Sequence, residues 1–104
     1  MKVVCEETFA PIVSVIPFEI EEVIEMANDS VFGLQAGVFT NDINRAMRVA
    51  ESLETGGVWI NETSIYRQDN YPYGGFKLSG VGKEGVKYAI EDMTEIKFIG
   101  IKLS

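Results

Sequence analysis

The stretch Ala36-Gly37-Val38-Phe39-Thr40-Asn41-Asp42-Ile43-Asn44-Arg45-Ala46-Met47-Arg48-Val49-Ala50-Glu51-Ser52-Leu53-Glu54-Thr55-Gly56-Gly57-Val58-Trp59-Ile60 decides the fold. Residues 36–40 read as a short strand. Thr40, Asn41 and Asp42 each offer a helix N-cap, because a short polar side chain there can accept from the free N–H groups of the first turn. Ile43, Ala46, Met47, Ala50 and Leu53 then recur at the spacing of one apolar helix face. Gly56 and Gly57 close that helix, and Val58-Trp59-Ile60 reads as a second buried strand. A helix between two short strands is the crossover that parallel pairing requires.

Upstream, residues 19–28 predict another helix, with Ile20, Val23, Ile24 and Ala27 on one face. Glu19, Glu21 and Glu22 crowd its first turn, where the helix dipole favours negative charge. Residues 3–18 read as extended around Ile12-Val13-Ser14-Val15-Ile16, apolar enough for a buried strand, with Pro11 and Pro17 at its ends. The resulting order β-α-β-α-β predicts an α/β fold with a parallel sheet. Downstream, residues 61–79 show no period and predict a long loop, a length usually tied to function. Val86, Ile90 and Met93 mark a third helix, and residues 95–103 alternate as an edge or exchanged strand that slips phase near Gly100. The expected division is residues 1–93 as part of a catalytic domain and 94–104 as an oligomerisation strand.

Composition narrows the function. The net charge of −7 among 104 residues, with only nine Lys and Arg, argues against nucleic acid as a partner. No apolar run reaches the roughly 18–20 residues that span a bilayer, so no membrane partner is expected. Glu6 and Glu7 interrupt any signal-peptide core. Cys5 is the only cysteine, which excludes an internal disulfide and fits a reducing, cytoplasmic setting. There is no histidine, so Ser-His-Asp and Cys-His catalysis are excluded and the commonest zinc ligand is missing. No metal site is expected.

Three stretches in register resemble the aldehyde dehydrogenase superfamily. Glu6-Glu7-Thr8-Phe9-Ala10-Pro11 is similar to the family's E-E-x-F-G-P. The second runs from Ala27-Asn28-Asp29-Ser30-Val31-Phe32-Gly33-Leu34 through Phe39-Thr40-Asn41-Asp42 and Arg45-Ala46 to Gly57-Val58-Trp59-Ile60-Asn61. The third is Pro72-Tyr73-Gly74-Gly75-Phe76-Lys77-Leu78-Ser79-Gly80-Val81-Gly82-Lys83-Glu84-Gly85. A complete member is several times longer, so the resemblance implies the C-terminal segment of an NAD(P)-dependent enzyme. The cofactor domain, nucleophilic cysteine and general-base glutamate would lie in the missing portion. Whether such a truncation is natural, proteolytic or engineered is left open.

The resemblance also implies roles for individual residues. Glu7 matches the acid that holds the nicotinamide ribose, a carboxylate being a good acceptor for two adjacent hydroxyls. Phe9 matches the aromatic that packs near the nicotinamide ring, and Ala10 stands where the family usually has Gly. Arg67 and Tyr73 fall in the substrate-entrance loop. Similar R-x-D…P-[YF]-G-G loops belong to relatives acting on small hydroxylated or anionic aldehydes, among them lactaldehyde and phosphorylated aldehydes. A guanidinium there would bind a phosphate, carboxylate or hydroxyl. Arg67 reads equally as half of an exposed pair with Asp69, and Tyr73 equally as plain loop packing. Asn61 is read as structural, and Lys77 and Lys83 as surface or turn charges.

No catalytic residue is assigned. Cys5 is not in the nucleophile's family position, and its acidic neighbours Glu6 and Glu7 suppress thiolate formation. The expectation is a segment of a dehydrogenase that oxidises a small aldehyde to a carboxylic acid with NAD or NADP and is inactive alone. The alternative is a stand-alone interaction module derived from such an enzyme. Either way self-association, or association with the remainder of a dehydrogenase, is expected, because strand edges and core-facing surface must be covered.

Overall fold

The computed structural model describes residues 6–103. The deciding stretch folds as its pattern dictates. Strand β2 (Gln35–Val38) and strand β3 (Gly57–Ile60) pair in parallel, in register from Gln35 opposite Gly57 to Val38 opposite Ile60. Helix α2 (Ile43–Ser52) makes the crossover between them. Of the three candidate caps, Asp42 takes the position, its Oδ1 accepting from the N–H groups of Asn44 (2.9 Å) and Arg45 (3.1 Å). Thr40 supports it, its Oγ1 accepting from Asp42 N at 3.1 Å.

Packing is where the helix departs from its sequence reading. The buried side chains of α2 are Ala46 and Val49, while Ile43 and Met47 stay 66% and 47% exposed. A sheet of two strands is only about 10 Å wide, so it covers a stripe narrower than the apolar face. The covered stripe includes Val49, which the face reading omitted.

Helix α1 (Ile20–Asn28) forms where residues 19–28 predicted it, with Glu19 as N-cap and Glu21 and Glu22 in the first turn. It is fastened at its C-terminal end. Asn28 Nδ2 donates to the Ser52 carbonyl at 2.8 Å, and Asn28 Oδ1 accepts from Glu54 N at 2.9 Å. Farther up, Arg48 of α2 reaches Glu21 at 3.2 Å.

A second, antiparallel ladder was not foreseen. Strand β1 (Phe32–Gly33) pairs with strand β4 (Phe76–Lys77), Phe32 opposite Lys77 and Gly33 opposite Phe76. Two-residue strands are too short to show alternation in a sequence. Lys77 does more here than a turn charge would. Its Nζ donates to the carbonyls of Asn28 (2.6 Å) and Ser30 (3.1 Å) and pairs with Glu54 at 2.8 Å, tying the loop after α1 to β4.

Helix α3 (Val86–Asp92) follows Gly85, whose φ of 116° needs a glycine. Its expected apolar face, Val86, Ile90 and Met93, is exposed. The expected first strand does not form among residues 6–18, and residues 3–5 lie outside the described ones. Residues 95–103 likewise carry no ladder. Both segments are apolar, but a strand needs a hydrogen-bonding neighbour, and neither segment has a ladder partner among the described residues. The consequence is a molecule of 70 × 33 × 23 Å with a radius of gyration of 18.5 Å. A close-packed chain of this length would have about 13 Å.

Candidate functional site

The long loop becomes a site because Trp59 of β3 gives it something to fold against. Tyr66 meets the indole edge-on at 4.9 Å between ring centres, and Tyr71 does so at 5.6 Å. Edge-to-face contacts at these distances suit the ring quadrupoles. Tyr73 is anchored by its backbone to Glu84, its N–H donating to the Glu84 carbonyl at 3.1 Å and its carbonyl accepting from Glu84 N at 2.6 Å. Between β3 and this loop lies a cavity of about 290 Å³, lined among others by Gln35, Trp59, Tyr66, Arg67, Tyr71 and Tyr73.

Arg67 and Tyr73 are brought together. The Arg67 guanidinium lies over the Tyr73 ring, 4.5 Å from its centre, and its Nη2 donates to the Glu84 carboxylate. The expected partner, Asp69, is thus displaced by Glu84, because the Tyr73–Glu84 backbone bridge delivers that carboxylate to the guanidinium. The hydrogen bond to Glu84 raises the Arg67 pKa. Partial desolvation opposes it, and the charge of Glu84, then Tyr73 and Asp69, add to the rise. The guanidinium is a permanent cation at this wall.

Glu7 sits elsewhere. It lines a neighbouring cavity of about 510 Å³ with the hydroxyl-bearing Ser30, Thr55 and Ser79. Phe9 is 93% exposed and lines neither cavity. So the structure assembles the two loop residues, leaves Glu7 one cavity away and leaves Phe9 apart. Gln35 lines both cavities. Sequence reasoning missed it, although an amide between Leu34 and Ala36 in an apolar run was a visible signal.

Two backbone features hold this arrangement. Asn61 takes φ 57°, and its Oδ1 accepts from Thr40 N at 2.8 Å, locking the end of β3 to the end of β2. This supports its structural reading. Gly56 admits no side chain, since a Cβ there would meet the Gly74 carbonyl oxygen at 1.6 Å. Gly56 and Gly74 therefore set how closely the loop returns to β3. Among the described residues, no group of Cys, Asp and Glu could hold a metal ion, and no helix is long and apolar enough to cross a membrane.

Comparison with known proteins accounts for the pattern. The model of the aldehyde dehydrogenase family matches residues 1–99. A lactaldehyde dehydrogenase of Methanocaldococcus jannaschii is 55% identical over 93 residues, covering 89% of this chain and 20% of its own length. A 3-sulfolactaldehyde dehydrogenase of Priestia aryabhattai is 54% identical over 104 residues, 99% of this chain and 22% of its own length. Among solved structures, a salicylaldehyde dehydrogenase from Pseudomonas putida G7, complexed with salicylaldehyde, superposes with a TM-score of 0.90 at 44% identity, covering 99% of this chain and 22% of that one. A glyceraldehyde-3-phosphate dehydrogenase from Methanocaldococcus jannaschii, complexed with NADP, does so at 0.71 and 57% identity, over 74% and 17%. The chain spans about a fifth of the length of the curated relatives it matches. With the parallel β2–β3 unit, the return loop and the register of all three motifs accounted for together, this chain belongs to the aldehyde dehydrogenase family.

Proposed function

We propose that this chain is the part of an NAD(P)-dependent aldehyde dehydrogenase that grips the nicotinamide ribose and shapes the aldehyde's entrance, and that it is inactive alone. The observation that carries the reading is the pair of adjoining cavities, an acid with hydroxyls in one and a cation on an aromatic ring in the other, sharing Gln35. A Glu7 carboxylate can accept from two ribose hydroxyls, and the hydroxyl-bearing Ser30, Thr55 and Ser79 line the same cavity. Phe9, exposed here, would wall the nicotinamide ring. Bound, NAD or NADP supplies the hydride acceptor.

The substrate class follows from Arg67 and Tyr73. A cation braced on a ring and facing a cavity of about 290 Å³ suits a small aldehyde bearing a hydroxyl, carboxylate, phosphate or sulfonate. The names of the relatives, lactaldehyde, 3-sulfolactaldehyde and glyceraldehyde-3-phosphate dehydrogenases, support that class. Inactivity follows from Cys5, which lies outside the described residues. It is the only thiol, two acids follow it directly, and the chain has no histidine to activate it.

Residues 94–104 are best read as an oligomerisation strand that pairs with another copy or with the remainder of a dehydrogenase, residues 1–93 being the catalytic-domain portion. The tail alternates in sequence, is exposed and has no ladder partner among the described residues. The alternative of a stand-alone interaction module rests on that same surface. A reducing, cytoplasmic setting suits the single thiol.

The ribose grip is tested with nicotinamide mononucleotide by saturation-transfer NMR on the purified chain. Transfer to the ribose protons is expected for the unaltered chain and should be lost in Glu7→Gln. Equal transfer in both would remove Glu7 from the site.

A further inference from the structure

Glu84 is not among the residues to which the loop motif points, yet it controls what Arg67 can do. Its carboxylate accepts from Arg67 Nη2, and its backbone is joined in both directions to Tyr73, the residue on whose ring the guanidinium rests. The acid is therefore carried by the cavity wall itself. Both side chains remain about half or more exposed, 49% for Arg67 and 64% for Glu84, so water and solutes reach the pair. Exposed ion pairs of this kind are weak and exchange with competing ions.

A guanidinium that faces a cavity has one carboxylate-shaped partner at a time along a given edge. An aldehyde carrying a carboxylate, phosphate or sulfonate and the Glu84 side chain are alternative ligands for that edge. Asp69 adds a second negative charge near Arg67. Arg67 is the one charged residue that lines the cavity, and the charges of Glu84 and Asp69 both act on it, which disfavours anions there and leaves hydroxyl recognition untouched.

We infer that Glu84 is a specificity-determining residue, an internal carboxylate that competes with anionic aldehydes for Arg67 and shifts the entrance toward hydroxylated, uncharged ones. This rests on the reading of Arg67 as a substrate-binding residue. Bridged to Tyr73, Glu84 sets a threshold: a tetrahedral dianion displaces it more readily than a monoanion does.

Trp59 makes the test direct, because it is the only tryptophan in the chain and lines the same cavity. The purified chain is titrated with inorganic phosphate while its fluorescence is followed. Glu84→Gln is expected to bind phosphate about two- to fivefold more tightly than the unaltered chain, the range that removing one exposed competitor supports. Glu91→Gln, which deletes the same charge from the exposed Lys87–Glu91 pair of α3, should leave the affinity unchanged. Glu84→Asp, which keeps the charge on a shorter stem, should fall between.

Phosphate affinity unchanged in Glu84→Gln, or raised equally in Glu91→Gln, overturns the inference. If neither Glu84 variant retains the folded Trp59 emission, the ion pair is a structural clamp rather than an exchangeable competitor, which also overturns it. Arg67→Gln separates this inference from the reading beneath it. If that variant binds phosphate as well as the unaltered chain, Arg67 itself is not the anion site. If it loses binding while Glu84→Gln changes nothing, only the competition fails.

Discussion

Asn61 shows how one side chain carries both conformation and connection. An L-residue in the left-handed region costs about 1–2 kcal/mol, less for Asn, which bonds locally, and Asn61 recovers it by accepting from Thr40 N. Asn61→Ala keeps the strain and loses the bond, so about 1–2 kcal/mol of destabilisation is expected. Asn61→Gly should cost less, since only the bond is lost. Urea midpoints of the three chains check the order. Arg67 is the second residue where chemistry is decided singly. Its pKa is raised, so its charge and the stability it brings are intact at neutral pH and fade only as strongly alkaline solution titrates the guanidinium. Phosphate binding corrected for phosphate's own ionisation is therefore expected to be flat from neutral to mildly alkaline pH. A fall across that range, read by Trp59 fluorescence, would point to a different cation. The loop motif names Arg67 and Tyr73, and the structure stacks the guanidinium of one on the ring of the other; their substrate role is a proposal. Glu84 was not paired with Arg67 in advance, because the contact spans 17 positions and depends on a backbone bridge no local pattern encodes.

At the scale of elements, the β2–α2–β3 unit was readable and the β1–β4 ladder was not. The first has a capped ten-residue helix between two apolar strands, enough length for period and punctuation to agree. The second has two residues a side, held by Lys77 as much as by its ladder. The α2 cap is testable: Asp42→Ala is expected to cost about 0.5–2 kcal/mol, seen as a lower thermal midpoint with reduced helical dichroism. Gly56→Ala is a harsher change. Its Cβ would strike the Gly74 carbonyl, so the loop must retreat from β3. The expected readout is a shift of Trp59 emission toward that of a solvated indole, together with destabilisation of at least about 1–3 kcal/mol. Unchanged emission in a stable Gly56→Ala chain would show that the loop does not close on β3 as described.

Across the whole molecule the dominant fact is how little is buried. Among the described residues only Ala46 and Val49 form a buried apolar core, while Ile96, Phe98, Ile101 and Leu103 in the tail and Val13 and Val15 near the start are almost fully exposed. Apolar surface on that scale marks contact with another chain or with more of the same protein. The N-terminal segment forms no ladder among the described residues for this reason: apolar composition announces that a segment will be covered, not by what. The purified chain is expected to sediment as more than a monomer, and Phe98→Asp to reduce that association without changing α2 helicity. A clean monomer at high concentration would contradict it.

The central claim is that this polypeptide presents a ribose-holding acid and a substrate entrance but no activated sulfur. It is tested most directly by incubating the purified chain with lactaldehyde and with glyceraldehyde-3-phosphate, each with NAD+ and with NADP+, and following reduced nicotinamide by absorbance. The account predicts none above the uncatalysed background. Reduced nicotinamide that forms with the unaltered chain and disappears in Cys5→Ser would contradict it.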